Sequence, residues 1–222
     1  MKILYEDNHL LVVDKPVNIP VQADSSADED MLTLLKQYLK EKYNKPGNVY
    51  LGLVHRLDRP VGGVMVFART DKAASRLSDS LRKNQFEKSY LAIVEGKGQD
   101  NAHLVDKLLK DPATNTVTVN EKGKEAILDY QLIDYQNGLS LLEVNLKTGR
   151  SHQIRVQLSS RDLPIWGDQR YNGNAKAGQQ IALYSHKLSF PHPISKEILT
   201  FESKPHTKPF DIFGGDYYEK NS

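Results

Sequence analysis

A short run in the first third of the chain places an acidic residue between two arginines and just before a turn. Asp58 is flanked by Arg56 and Arg59, and is followed by Pro60 and the pair Gly62-Gly63. Nearby positive charge keeps a carboxylate ionised, and Pro and Gly favour a tight turn in which the backbone can approach another group closely. An ionised carboxylate on such a loop can act as a nucleophile or as a general base. An ion pair that serves stability alone is the alternative.

The residues that follow this turn predict how the carboxylate is held. Val64 to Ala68 is β-branched and aromatic, which indicates a buried strand leaving the turn. Asp58 would then lie on a loop anchored to a sheet, which is a common position for catalytic and binding residues.

The remaining periodicity predicts three helices among many strands. Apolar residues at helical spacing, with Asp, Ser or Thr able to cap the start, mark the helices. We expect helices from about Met31 to Tyr43, from Thr70 or Asp71 to about Asn84, and from a Ser151 cap to about Ser160.

Alternating apolar and polar residues, separated by turn residues, predict successive antiparallel strands joined by hairpins. The sequence therefore indicates an α+β fold, a mostly antiparallel mixed sheet flanked by helices. The expected strands are two within 2–14 and one each in 64–68, 86–94, 102–110, 114–120, 125–134, 139–147, 181–190 and 197–201.

Composition narrows the class of protein. The 222 residues can bury a sizeable core as one domain. Thirty basic against twenty-eight acidic residues give a net charge of only +2, so binding to a nucleic acid would require clustered charge. The absence of cysteine excludes disulfides, cysteine zinc sites and thiol nucleophiles. No apolar run of membrane-spanning length and no signal-peptide pattern occur, so we expect a cytoplasmic enzyme.

The Asp58 run, with its apolar strand, resembles the signature of the RluA-type RNA pseudouridine synthases. Other stretches resemble further segments of that family in the family's order, so the resemblance covers nearly the whole chain. These stretches are Ile3–Pro16, Lys88–Gly96, Leu146–Val156 with Pro164–Asp168, and Leu183–Pro193.

The resemblance implies an isomerase that detaches a uracil from its sugar in RNA, turns it, and rejoins it through carbon 5. Such a reaction needs no redox step, so we expect no cofactor and no metal, and the sequence has no motif for either. By resemblance, Asp58 is the catalytic carboxylate, Arg155 is its charge partner, and Tyr90 is the active-site ring that can stack on the uracil. Whether Asp58 attacks the sugar or removes a proton stays open.

The resemblance also implies that the target base leaves the RNA stack before reaction. Arg56 resembles the residue that fills the vacated space, and Leu183 resembles the apolar residue packed against the base. For His55 and His152 a packing role is the alternative, and Gln153 can order the site instead of contacting RNA. The other residues that we assign to substrate contact are His55, Arg59, Lys147, Arg150, His152 and Gln153.

Partners and organisation follow from the same resemblance. We expect the substrate to be ribosomal or transfer RNA, with neither DNA nor a membrane as a partner, and a monomeric protein. Residues 1–222 would form a single catalytic domain with a central active-site cleft and no separate N-terminal RNA-binding domain. Target choice would then reside in the loops and basic faces of that domain.

One departure and two rival readings remain open. Many relatives carry Thr-Ser-Gly after the Asp-Arg pair, whereas this chain has Val61-Gly62-Gly63 and so lacks two hydroxyls. In one rival reading the domain binds RNA without catalysis, as a chaperone or assembly factor. In the other, Asp58 serves a nucleoside or glycoside hydrolase, although such enzymes usually employ two carboxylates.

Overall fold

The computed structural model describes residues 1–214, which contain eleven strands and three α-helices. The expected α+β class is confirmed, and each predicted strand and helix has a counterpart. The elements are β1 (Lys2–Glu6), β2 (Leu10–Lys15), α1 (Met31–Lys42), β3 (Gly52–Leu53), β4 (Gly62–Ala68), α2 (Asp71–Arg82), β5 (Glu87–Glu95), β6 (Asn101–Asp111), β7 (Thr116–Val119), β8 (Lys124–Gln136), β9 (Leu139–Leu146), α3 (Gln153–Ser159), β10 (Leu183–Pro191) and β11 (Ile198–Glu202).

The chain groups into two compact units. Among the described residues, unit 1 contains Met1–Glu87 and Ser185–Lys204, and unit 2 contains Lys88–Tyr184 and Pro205–Gly214. The expectation that the whole chain acts as one catalytic domain stays a prediction.

The sheet of unit 1 follows the strand order β1-β2-β4-β10, with β3 also pairing with β4 and β11 with β10. All seven residues of β4 are buried, which agrees with the continuous apolar run that predicted this strand. Alternate residues of β2 and β4 pack against α2 because side chains in a strand point to one face every second residue. The core on this face includes Leu10, Val12, Val64, Val66, Leu77, Phe86 and Phe190.

The first two helices begin where the capping residues predicted. The side chain of Asp30 accepts a hydrogen bond from the backbone N–H of Thr33 at the start of α1 (3.1 Å). The Thr70 hydroxyl accepts one from the N–H of Ala73 at the start of α2 (3.1 Å). Each cap satisfies one of the backbone donors that the first turn of a helix leaves unpaired.

The third helix is shorter than expected and its predicted cap is wrong. Ser151 does not cap it; the residue before α3 is His152, which has a left-handed φ of 51° and no capping side-chain hydrogen bond. A hydroxyl can cap a helix only when the backbone next to it is extended, and here the chain reverses at His152 instead. Ile154 and Leu158 do point inward, as their spacing predicted.

Unit 2 is built on a second antiparallel arrangement, in the order β5-β9-β8-β6-β7. A short turn joins β6 to β7 and another joins β8 to β9, and each of these pairs is an antiparallel hairpin. The strand β6 also pairs with β8 on its other edge, so it lies between β7 and β8. Within residues 1–214, no helix combines the length and the apolar character that crossing a membrane requires.

We predict that Gly63→Ala destabilises the protein. Gly63 has a φ of +119°, and an added Cβ would lie 2.2 Å from the carbonyl oxygen of Ser185. The substitution combines a backbone conformation unfavourable for alanine with a clash against backbone, so the free energy of unfolding should fall by more than ~2 kcal/mol. Gly47→Ala is the matched control, because nothing lies within 4 Å of its added Cβ. Equal midpoints in urea for the two variants would contradict this account.

Candidate active site

The turn that carries Asp58 is closed by its own backbone. The N–H of Val61 donates to the carbonyl of Asp58 (2.9 Å), and the Asp58 side chain is half-buried. His55 fastens the preceding residues to the sheet, because its Nε2 accepts a hydrogen bond from the N–H of Val66 in β4 (3.1 Å). The ring of His55 also contacts Phe86 edge-on. These are packing contacts within unit 1, and contact of His55 with RNA stays a prediction.

Lys15 at the end of β2 holds the other side of this turn, a role that was not predicted from the sequence. Its side chain is only 1% exposed, and Nζ donates to the carbonyls of Pro16 (3.0 Å), Arg59 (3.0 Å) and Val61 (2.7 Å). Three backbone acceptors match the three donors of an ammonium group. The buried lysine therefore restrains the loop at the point where Val61-Gly62 replaces the hydroxyl residues of relatives.

The same ammonium group is electrostatically coupled to Asp58. Burial lowers the pKa of Lys15 from its ordinary 10.5 to about 7. The negative charge of Asp58 raises it and the positive charge of Arg59 lowers it further, so all three side chains influence one another. The pair of Lys15 and Asp58 offers a titratable cation beside a candidate catalytic carboxylate.

The two arginines that flank Asp58 differ in their surroundings. Arg56 is exposed, as entry into an RNA stack would require. The guanidinium of Arg59 is instead engaged by an acidic loop: it donates to the Ser26 hydroxyl (2.9 Å), pairs with Asp28, and lies 3.6 Å from Asp24. A phosphate would have to compete with these groups for Arg59, so its assignment to substrate contact stays a prediction.

In unit 2, α3 presents Arg155 to a second carboxylate. Nε and Nη2 of Arg155 donate to the two oxygens of Asp168 (2.9 and 2.7 Å). This bidentate geometry suits a planar guanidinium. Asp168 is 1% exposed and also accepts from the N–H groups of Arg170 (3.0 Å) and Tyr171 (3.3 Å). A buried carboxylate with this many donors is fixed, so it orients Arg155.

Tyr171 completes the surroundings of Arg155 and was also missed by the sequence. Its ring lies 5.2 Å below the Arg155 guanidinium, and its hydroxyl is 2.6 Å from Nδ1 of His152. Burial raises the pKa of Tyr171, so the ring remains a neutral phenol that can share a hydrogen bond with the imidazole. The only sequence signal near Tyr171 was the stretch Pro164–Asp168, which resembles the family motif and ends three residues before it.

The loop before α3 is ordered by Gln153. Its side-chain oxygen accepts from the N–H of Arg150 (3.0 Å) and the hydroxyl of Thr148 (2.8 Å), and its amide nitrogen donates to the carbonyl of Ile127 (3.1 Å). The side chain is 3% exposed. These bonds order the loop that precedes α3, and contact of Gln153 with RNA stays a prediction.

The basic residues of the same loop face solvent. Lys147 and Arg150 are exposed; Lys147 lies 3.5 Å from Asp129, and Nε of Arg150 donates to the carbonyl of Glu125 (2.7 Å). Exposed cations on an ordered loop are suited to backbone phosphates. Two apolar members of the predicted set are buried as well: Tyr90 on β5 and Leu183 at the start of β10 are 8% and 5% exposed.

The predicted residues therefore fall into two groups. Unit 1 brings together Asp58, Arg56, Arg59 and His55, with the addition of Lys15, while the remainder lie in unit 2. The pairing of Asp58 with Arg155 stays a prediction. Among residues 1–214, no three His, Cys, Asp or Glu side chains are grouped so as to hold a metal ion.

Comparison with known proteins identifies relatives along most of the chain. The family model described as RNA pseudouridylate synthase matches residues 9–160. Ribosomal large subunit pseudouridine synthase D of Zymomonas mobilis is 33% identical over 219 residues, covering 92% of this chain and 69% of that protein. The uncharacterized RNA pseudouridine synthase YhcT of Bacillus subtilis is 31% identical, covering 91% of this chain and 68% of that protein. The chain thus spans about two thirds of their length.

Solved structures support the same fold. Human RNA Pseudouridylate Synthase Domain Containing 4 matches with a TM-score of 0.78 and 24% identity, covering 92% of this chain and 89% of that one. Human RNA Pseudouridylate Synthase Domain Containing 1 matches with a TM-score of 0.74 and 22% identity, covering 92% and 83%.

We predict that Lys15 loses its proton near pH 7. Because the folded pKa lies below the ordinary value, the unfolded chain holds a proton that the folded chain lacks between about pH 7 and 10.5. The contribution of Lys15 to the free energy of unfolding should therefore rise with pH across this window. The Cε carbon shift of Lys15, followed by NMR from pH 5.5 to 11 and assigned with Lys15→Met, measures the midpoint. A midpoint near 10.5 would contradict the described burial.

We predict that Asp168→Asn destabilises the protein by about 3 kcal/mol. The substitution leaves the guanidinium of Arg155 buried beside a neutral partner, and breaking a buried pair on one side is costly. Glu121→Gln, which breaks the exposed pair with Lys107, is the control and should cost less than about 1 kcal/mol. Guanidinium chloride unfolding of both variants gives the comparison, and similar losses would refute a special role for the buried pair.

Proposed function

This chain belongs to the RNA pseudouridylate synthase family, and we propose that it isomerises uridine to pseudouridine in ribosomal RNA with Asp58 as the catalytic carboxylate. The match to the family model confirms the membership inferred from the sequence motifs. Enzymes of this family are isomerases that act on RNA. The match over residues 9–160, which includes Asp58, Tyr90 and Arg155, is the observation that carries the proposal.

The chemistry asks for a charged carboxylate at a defined position. In the proposed reaction Asp58 either attacks the sugar carbon that bears the base or removes a proton from the sugar, and both roles require the ionised form. The buried ammonium of Lys15 supports this assignment in two ways: it fixes the backbone of the turn, and it places positive charge near the carboxylate.

The other two catalytic assignments rest on the family motifs and on local geometry. We assign Arg155 to neutralising Asp58, and its fork with Asp168 would hold the guanidinium in one orientation for that purpose. We assign Tyr90 to stacking on the uracil, because its ring offers an apolar face and its hydroxyl a polar end. Both remain proposals about this chain.

Access to the target requires the uridine to leave its stack. Unstacking costs a few kcal/mol, on the order of what one inserted side chain and new contacts can offset. The exposed Arg56 is the proposed insert, and the exposed Lys147 and Arg150 are proposed phosphate contacts. Leu183 is the proposed apolar contact of the base.

The proposed substrate is ribosomal RNA because two relatives named ribosomal large subunit pseudouridine synthase D are each 33% identical to this chain. Transfer RNA, which the sequence analysis also allowed, is the alternative substrate. The proposal places a monomeric enzyme in the cytoplasm, as we expected from the sequence.

Two observations bear on the rival readings. A hydrolase would need a second free carboxylate to protonate the leaving group. Asp168 is unsuited to that role in unit 2, because its oxygens already accept hydrogen bonds from Arg155 and from two backbone N–H groups. A non-catalytic RNA-binding protein would place no demand on Asp58, and mutation of this residue separates that reading from ours.

We predict that Asp58→Asn lowers pseudouridine formation by at least ~10²-fold, because the neutral amide can neither attack nor accept a proton. Tritium released from a [5-³H]uridine-labelled large-subunit ribosomal RNA transcript measures the reaction, since carbon 5 loses its hydrogen when it joins the sugar. RNA affinity should stay within about threefold, because an added neutral group removes only repulsion from phosphates.

Asp100→Asn, a change of the same type at an exposed site, is the control and should retain full activity. Pseudouridine mapping of total RNA from cells that carry either variant would identify the modified uridine. A complete map in cells carrying Asp58→Asn would defeat the catalytic assignment, and no tritium release by the unmodified protein would defeat the proposed function.

A further inference from the structure

We propose that unit 1 carries a second RNA site, separate from the Asp58 turn, in which a groove binds backbone phosphates of the same RNA. The groove has a volume of about 550 Å³ and lies between the C-terminal half of α2 and the turn joining β10 to β11. We call it the α2–hairpin groove; the residues used here are Arg76, Lys83, Pro191, Lys196 and Ile198. The identity of the ligand as RNA rests on the proposed function.

The charge of this groove favours an anion. Arg76, Lys83 and Lys196 contribute three cations, and none of them pairs with a carboxylate among the residues that the structure describes. The groove also contains Asp79, but this carboxylate forms an ion pair with Arg82 on the same helix. Unpaired lysines and arginines converging from two elements are the usual means by which proteins hold phosphates.

Two of the three cations are held in place by the turn. Nη1 of Arg76 and Nζ of Lys196 both donate to the carbonyl of Pro193 (3.0 and 3.2 Å). The turn is itself fixed by His192, whose Nδ1 accepts from the N–H groups of Ile194 and Ser195 and whose Nε2 lies 2.8 Å from Asp7. A fixed turn keeps the two cations near each other, so less side-chain entropy is lost when a phosphate binds.

Lys196 occupies an unfavourable backbone conformation. Its φ is 68°, in the left-handed region where asparagine or glycine is favoured over lysine. Lysine at this position contributes one hydrogen bond to the turn, from Nζ to the carbonyl of Pro193, and places its charge in the groove in spite of the unfavourable backbone. This feature also allows a variant that removes the charge while relieving the backbone.

Apolar surface beside the cations matches the sugar of a nucleotide. Ile198, which is 67% exposed, and Pro191 line the groove together with the cations. A ribose offers carbon atoms next to its phosphate, so a mixed apolar and basic groove suits a nucleic-acid backbone better than a free inorganic ion.

The position of the groove sets the length of RNA that could reach it. The start of β10 packs against the start of β4, where the Ser185 hydroxyl donates to the carbonyl of Val64 (3.0 Å). Pro191 lies six residues further along β10, which is ~20 Å at ~3.3 Å per residue. At ~3.4 Å per stacked nucleotide, this corresponds to roughly six nucleotides between the Asp58 turn and the groove.

The test is the salt dependence of RNA binding. Filter binding to an unmodified large-subunit ribosomal RNA transcript is measured from 50 to 200 mM KCl for three proteins. They are the unmodified protein, the groove variant Lys83→Gln/Lys196→Asn, and the control variant Lys36→Gln/Lys40→Gln. The control removes two exposed lysines from α1 in the same unit. The groove variant should bind about tenfold more weakly at 100 mM KCl, with a slope of log affinity against log salt smaller by ~1.4–1.8.

Two further measurements separate the possible outcomes. Thermal unfolding should show the groove variant at least as stable as the full chain, because asparagine accepts the left-handed backbone more easily. Equal salt slopes for the groove and control variants would overturn the proposal that the groove binds RNA. That result would hold even if the groove bound an acidic protein instead. Failure of the unmodified protein to release tritium would instead overturn the proposed function, while the salt slopes would still report on the groove.

Discussion

A buried ammonium group organises the part of the molecule that carries the candidate catalytic residue. Lys15 gives all three of its donors to backbone carbonyls around the Asp58 turn, two of them more than forty residues away in the chain. Removing a cation from water is costly unless its donors are satisfied, so the turn and the lysine stabilise one another. The same burial lowers the pKa of Lys15, which makes the charge beside Asp58 sensitive to pH near neutrality.

Unit 2 solves a similar problem with an ion pair. Arg155 is buried on α3, and its charge is balanced by the fork with Asp168, whose remaining capacity is filled by backbone N–H groups. Such a pair adds little net stability when complete, but it fixes the direction of the guanidinium. In both units, therefore, a buried cation holds a loop or a side chain in position.

Local patterns predicted the elements well because they depend on neighbouring residues. Asp30 and Thr70 cap α1 and α2, and the apolar run after the Asp58 turn forms a fully buried strand. Ser151 failed as a cap because its hydroxyl alone cannot reveal that His152 adopts a left-handed backbone. The rule that a hydroxyl caps a helix assumes an extended cap residue, and tertiary contacts around Gln153 decided otherwise.

The sequence by itself determined the α+β class, the order of the elements and the family, since these follow from periodicity and from motifs that are read along the chain. Only the tertiary structure decided which charges meet. Arg59 pairs with Asp28, 31 residues away in sequence. Lys15 and Arg76 donate to the backbone carbonyls of Arg59 and Pro193, which lie 44 and 117 residues away, respectively. The chain contains thirty basic and twenty-eight acidic residues, and the sequence does not indicate which of them pair. Electrostatic attraction depends on distance and burial in the folded protein.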